Sequence, residues 1–344
     1  MNRWAPERVL VAIKPWQRGL PLESQHASQL ADALGARLMI TTAVFDARMA
    51  GGPAHGDAAV PAARARLIEA EHVELEKLAQ SLRAWGTTVS TRAVWGAPAY
   101  QGVLDVAREW RADLLVLGAH EPGVRVGTRL TDTDWQLMRL APCPLLLVKD
   151  PFFTGYRTVL AAVDPAHPEP ARAGIDRFVL DVAQTVSGAC ESELRVVHAL
   201  PDPARLPPSP VEIAPGVYCD ADAIEELHRR AVDDLLALHG VPPEQADVVQ
   251  GAPADVIVRV AADRRAELVV LGALRRSQLE QALIGSTAEA VAADVPCDVL
   301  LVPAPHVTSD AAEEAPDATG RARTAKPRRR GASSAVRGRR PAAR

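Results

Sequence analysis

At 344 residues, 48% of them apolar, the chain is long enough to bury two ordinary cores, which excludes a disordered protein. The N-terminal apolar run is too short for a signal peptide, no apolar segment is long enough to span a bilayer, and Cys143, Cys190, Cys219 and Cys297 form no C-x-x-C pair; the expectation is a cytoplasmic protein without membrane contact, disulfide framework or structural zinc. From Gly320 onward there are ten Lys or Arg and no acid, so the whole-chain charge of −4 divides into an acidic body of −14 and a basic tail.

The predicted elements begin with a short buried strand over residues 8–13, which turns at Lys14-Pro15. A helix over 22–34 follows, with Gly35 as its stop, and then a strand over 37–44. Residues 45–61 lack periodicity and read as a surface loop, whereas Leu67, Val73, Leu75, Leu78 and Leu82 give residues 62–85 an amphipathic helical face ended by Gly86. A strand over 87–94, a helix starting at Pro98 and a fully buried strand over 113–117 come next. A helix over 132–140 and a strand over 145–149 close this half.

The same order then returns. VLVAIKP at Val9 reappears as VLAAVDP at Val159, WGAPA at Trp95 as QGAPA at Gln250, ADLLVLGA at Ala112 as AELVVLGA at Ala266, and PCPLLLV at Pro142 as PCDVLLV at Pro296. The offsets stay between 150 and 155 residues, so the chain is two copies of one domain rather than a solenoid. Residues 1–150 and 157–305 form the copies, and 306–344 form a tail too poor in large apolar residues to fold. Strands alternating with helices predict an α/β architecture, an open parallel sheet with helices on both faces. In such sheets ligands sit beyond the carboxyl ends of the strands, where the strand order reverses.

The most informative stretch is 266–302. Its strand stops at Gly272, and Gly285, Ser286 and Thr287 precede helical spacing up to Pro296, so Ser286 or Thr287 is expected to cap a helix whose free N–H groups suit an anion such as phosphate. At Gly272, Gly285 and Ser286 the sequence resembles the universal stress proteins, whose nucleotide binders carry Gly-x2-Gly-x9-Gly-(Ser/Thr) after the fourth strand; Arg275 stands at the second glycine position. The tandem repeat and the run TDTDWQLMRLAPCPLLLVKDPF resemble the family's E-type tandem subfamily. The resemblance implies two Rossmann-like (adenine nucleotide alpha hydrolase-like) domains with strand order 3-2-1-4-5, joined through their fifth strands as an internal pseudo-dimer. It implies an adenine nucleotide such as ATP as the candidate cofactor of the second copy, with Asp164 on the adenosine and Gly272, Ala273, Arg275, Gly285, Ser286 and Thr287 around the phosphates. In the first copy Lys14 replaces that Asp, Glu121 stands at the second glycine position and Thr131-Asp132 replaces Gly-Ser, so this copy reads as a structural partner.

Several readings stay open. Gly272 and Gly285 equally suit turn and cap geometry alone. His120 and His198 end strands near the ligand edge, but no carboxylate or second His lies at local metal spacing, so no metal site is expected. The function expected is a non-catalytic, ligand-responsive factor in stress resistance. Its rivals are slow ATP hydrolysis or autophosphorylation at Ser286 or Thr287, nucleic-acid association through the basic tail, and an apolar small-molecule ligand between the copies.

Overall fold

The structure, a computed structural model, describes residues 4–15, 17, 19–49, 59–119, 130–149, 155–167, 170–201, 211–214, 217–219, 221–273 and 285–304. The basic tail, and with it the nucleic-acid reading, lies outside the described residues, as do Glu121, His120 and Arg275. The first half runs β1 (Arg8–Ala12), α1 (Leu22–Leu34), β2 (Arg37–Val44), a 3-10 turn at Ala47–Met49, α2 (Ala59–Arg83), β3 (Val89–Trp95), α3 (Ala99–Glu109), β4 (Leu114–Gly118), α4 (Asp132–Leu140) and β5 (Leu145–Val148). Gly35 ends α1 in the left-handed conformation at φ 67°, which a side chain would resist. Helix α2 starts three residues earlier than the periodicity indicates, because Pro61 falls in its first turn, where a missing N–H costs nothing.

The second half repeats the order as β6 (Thr158–Ala162), α5 (Pro170–Ala189), β7 (Glu193–Leu200), α6 (Ala221–His239), β10 (Ala246–Gln250), α7 (Pro253–Asp263), β11 (Leu268–Ala273), α8 (Ser286–Asp294) and β12 (Asp298–Pro303). A two-stranded antiparallel ribbon, β8 (Val211–Ala214) and β9 (Val217–Cys219), is inserted between β7 and α6. Among the described residues the first half has no such ribbon.

All other strands join one ten-stranded sheet of order β10-β7-β6-β11-β12-β5-β4-β1-β2-β3, which is 3-2-1-4-5 in each half. Every pairing within a half is parallel, and the seam between halves, β5 with β12, is antiparallel with Leu147 opposite Val299 and Leu145 opposite Leu301. The repeats therefore share a single compact unit that extends from Met1 to Pro305. Alternation along the strands sends Val9 and Val11 to one face and Leu10 and Ala12 to the other. One face packs under α1, α2, α5 and α6, the other under α3, α4, α7 and α8, and each core layer runs through both halves. Among the described residues no helix is long and apolar enough to cross a membrane.

The seam also buries a polar cluster. Asp298, fully buried at the start of β12, accepts hydrogen bonds from the Lys149 amide at 2.7 Å, the Tyr156 hydroxyl at 2.8 Å and His26 Nδ1 at 3.1 Å. Burial, reinforced by the Asp298 charge, pushes the Tyr156 hydroxyl well above the usual phenol range, so it stays a donor. The Lys149 ammonium donates to the Val295 carbonyl at 2.8 Å, and its burial pulls it down to about 8. Three chain segments that are far apart in sequence are thus fastened by one carboxylate.

Candidate functional site

In each half the chain leaves the first strand to one side and the fourth to the other, so the carboxyl ends of these adjacent strands mark the switch point where a cleft opens. In the second half the cleft, about 170 Å³, lies between Asp164 after β6, Gly272 on β11 and Thr287 on α8. An enclosed pocket for a drug-sized ligand usually holds roughly 300–1,000 Å³; this one suits part of a ligand whose remainder extends outward. Asp164 is exposed, and its amide donates to Asp176 Oδ1 at 2.9 Å, which fixes the turn that presents it.

The expected site residues separate into three groups. Asp164, Gly272 and Thr287 line one cleft. Ala273 is buried at the end of β11, and Ser286 is exposed at the first position of α8, outside the cleft lining. Arg275 lies outside the described residues. The expectation that Ser286 or Thr287 caps α8 is corrected: Gly285, extended at φ −60° and ψ 144°, is the N-cap, and no side-chain capping bond is made. The helix starts one residue earlier than the hydroxyls suggest, because Gly285 itself takes the extended conformation that an N-cap needs. Gly272 has a packing reason too, since a Cβ there would come within 2.5 Å of Ile175 Cγ2 on α5.

The first-half cleft, about 270 Å³, is lined at the same places by Lys14, Gly118 and Thr133, and its charged lining residues pair with one another. Thr131 and Asp134 form a capping box at the start of α4: Asp134 Oδ2 accepts from the Thr131 amide at 2.8 Å, and Thr131 Oγ1 accepts from the Asp134 amide at 3.3 Å. Lys14 Nζ lies 3.5 Å from the same Asp134 oxygen. The helix N-terminus that would receive a phosphate is therefore already occupied by a carboxylate. Beside it Glu23 is buried, and desolvation pushes its carboxyl above the usual range against the opposing pull of its own amide, Gln17, Lys14 and His26. Gly118 is the counterpart of Gly272, but a Cβ there would meet the Glu23 carboxylate oxygen at 2.5 Å instead of an aliphatic chain.

Sequence spacing misses one constellation. His198 on β7, fully buried, and His228 on α6 are hydrogen-bonded from Nε2 to Nδ1 at 2.8 Å, with ring centroids 5.0 Å apart. Asp164 joins them, and one ligand atom from each of the three lies within 4.8 Å of the others. Desolvation, followed by the neighbouring His198, lowers the His228 imidazole below its ordinary range, and Asp164 opposes that shift. The absence of a nearby carboxylate or second His in sequence is thus reversed in space. The partners sit 34 residues before and 30 after His198, on different elements, and no local motif signals them.

The sequence profile of the universal stress protein family matches residues 7–149 and again 155–303. Universal stress protein E of Escherichia coli strain K12 is 28% identical over 219 residues, 63% of this chain and 69% of that protein. Among solved structures, a protein of unknown function from Pseudomonas aeruginosa PAO1 superposes with a TM-score of 0.66 at 26% identity, covering 88% of this chain and 94% of the other. A universal stress protein from Archaeoglobus fulgidus DSM 4304 superposes with a TM-score of 0.58 over 87% and 98% of the two chains, and at 15% identity it speaks to the fold alone.

Proposed function

The chain belongs to the universal stress protein family as a tandem member, and from that premise we propose that it is a non-catalytic, ligand-responsive factor of stress resistance that acts in the cytoplasm and takes an adenine nucleotide in its second half. The observation that carries this reading is the contrast between the clefts: Asp164, Gly272 and Thr287 converge on an open cleft, whereas Lys14 and Asp134 neutralise each other in the first. Residues 157–305 are then the ligand half and residues 1–150 its structural partner. Asp164 would contact the adenosine, and the start of α8, with Gly285, Ser286 and Thr287, would face the phosphates. Because Arg275 stands where the family's nucleotide binders carry a glycine, the expected affinity of the wild type for ATP is weak or absent.

Titration calorimetry of the full chain with ATP in the presence of EDTA tests this. The expected result is that Arg275→Gly raises the affinity and Asp164→Ala removes the gain. ATP binding that survives Asp164→Ala, or that weakens in Arg275→Gly, overturns the assignment. Phosphate release in parallel samples with Mg²⁺ in place of EDTA, or a phosphorylated Ser286 or Thr287 there, would replace the non-catalytic reading with the enzymatic one.

A further inference from the structure

We propose that Asp164, His198 and His228 form a binding site for a divalent transition metal of the zinc class at the mouth of the second-half cleft. They are the one group of three or more ligating side chains that converges in this way among the described residues.

The arrangement of His198 supplies the first argument. Its Nδ1 lies 2.9 Å from the Val163 carbonyl oxygen, which can only accept, so Nδ1 carries the proton and Nε2 presents a lone pair toward His228. An imidazole anchored by an Nδ1–H bond to a main-chain carbonyl, with Nε2 directed at further ligands, is the arrangement that metal-binding histidines use to fix ring and tautomer.

The first half supplies the second argument, as an internal control. There the strand-end carbonyl of Ile13 is bonded by the Thr42 hydroxyl at 3.0 Å. Thr42 and His198 occupy equivalent places, since Ile13 and Val163 donate their amides to the preceding residues of β2 and β7, Thr41 and Val197. Closing that strand end requires only a hydroxyl. The imidazole makes the same bond and adds a second nitrogen, which meets another imidazole and a carboxylate. In the first half Lys14 stands where Asp164 stands, and a cation there excludes a metal ion.

Geometry and ligand type set the class of ion. Zinc–nitrogen and zinc–oxygen distances of about 2.0–2.2 Å place tetrahedral ligand atoms roughly 3.3 Å apart. The His198–His228 nitrogens, at 2.8 Å, must therefore open slightly as the ion replaces their hydrogen bond. Half-buried His228 and exposed Asp164 are the members with room to move, while His198 is held in the core. Two imidazoles with one carboxylate suit zinc and its neighbours, whereas Mg²⁺ and Ca²⁺ prefer an all-oxygen set. Asp164 and His198 line the cleft, so the fourth position of a tetrahedral ion is available to water or to an anionic group of a cleft ligand. The site does not depend on the nucleotide reading.

Zn²⁺ titrated calorimetrically into the EDTA-treated, then desalted, full chain without nucleotide tests the proposal. One equivalent should bind at this site. His198→Thr, which copies Thr42 and keeps the bond to the Val163 carbonyl, and His228→Gln should each weaken it by about tenfold or more. Substitution by Co²⁺ should give a tetrahedral absorption spectrum that both variants lose, while Mg²⁺ gives no heat. Circular dichroism and melting of each variant separate loss of ligand from loss of fold. Absence of stoichiometric binding by the folded wild type, or Zn²⁺ binding unchanged in the folded His198→Thr/His228→Gln double variant, overturns the site.

Discussion

Where β1 and β6 end, one half carries Lys14 and the other Asp164, on backbones that follow the same path into the same kind of cleft. The first half spends its polar groups on itself: Lys14 faces Asp134, Asp134 closes the capping box with Thr131, and Glu23 is buried beside Gly118. The second half has an aliphatic Ile175 beside Gly272, leaves α8 without a capping side chain, and gathers Asp164, His198 and His228 at the cleft mouth. A duplicated scaffold thus keeps its apolar positions, because both copies must close the same sheet, and diverges in charge, which the sheet does not constrain.

The largest expected effect comes from breaking what the halves share. Leu147 and Leu301 are buried on either side of the β5–β12 seam. Changing both to Lys places two unpaired cations in a continuous core, and the expected outcome is loss of the folded state or precipitation, read by circular dichroism and size-exclusion chromatography. A soluble double variant of wild-type stability would show that the seam does not hold the halves together.

Asp298 has Pro144 as its counterpart in PCPLLLV, so the buried seam cluster belongs to one half's strand alone. Asp298→Ala should cost about 3–5 kcal/mol in urea unfolding, because three buried donors lose their acceptor. Asp298→Asn keeps one acceptor oxygen and should cost less, and Pro144→Ala should change stability by no more than about 1 kcal/mol. Equal losses from Asp298→Ala and Pro144→Ala would erase the asymmetry.

The paired glycines sharpen the comparison further. Gly118→Ala and Gly272→Ala should each destabilise by about 1–3 kcal/mol through overpacking, yet against different neighbours. Glu23→Ala should relieve the first and Ile175→Ala the second; cross-relief, or none, would show that the contacts do not set the cost.

The smallest effect is a pH dependence. A carboxyl whose folded value is raised binds its proton more tightly in the native state, so Glu23 lowers stability as pH rises from the ordinary carboxylate value through its raised one, and the cost is complete above it. Glu23→Ile, which copies Ile175, should therefore raise stability at neutral pH by about 1 kcal/mol and remove that part of the decline. An unchanged pH profile would mean that burial does not govern Glu23.

The repeat, the alternation of strands and helices and most strand limits are legible in the sequence, whereas the inserted β8–β9 ribbon is not. Val9, Val159, Leu114 and Leu268 sit in short apolar runs between helical patterns, and hydrophobic periodicity is a local property that survives without knowledge of neighbours. The family resemblance singled out Asp164, Gly272 and Thr287 as site residues, and the fold brings these three to the lining of one cleft. The tertiary structure alone decided which polar groups meet. The α8 cap passed to Gly285 through its backbone conformation, Glu23 and Ile175 faced equivalent glycines through helix packing, and His228 reached His198 from α6 on a separate element. Asp298 found His26, 272 residues away, only because the two fifth strands pair. Hydrogen bonding and ligation are short-ranged and directional, so their partners are fixed by the path of the chain in space and leave no period in the sequence.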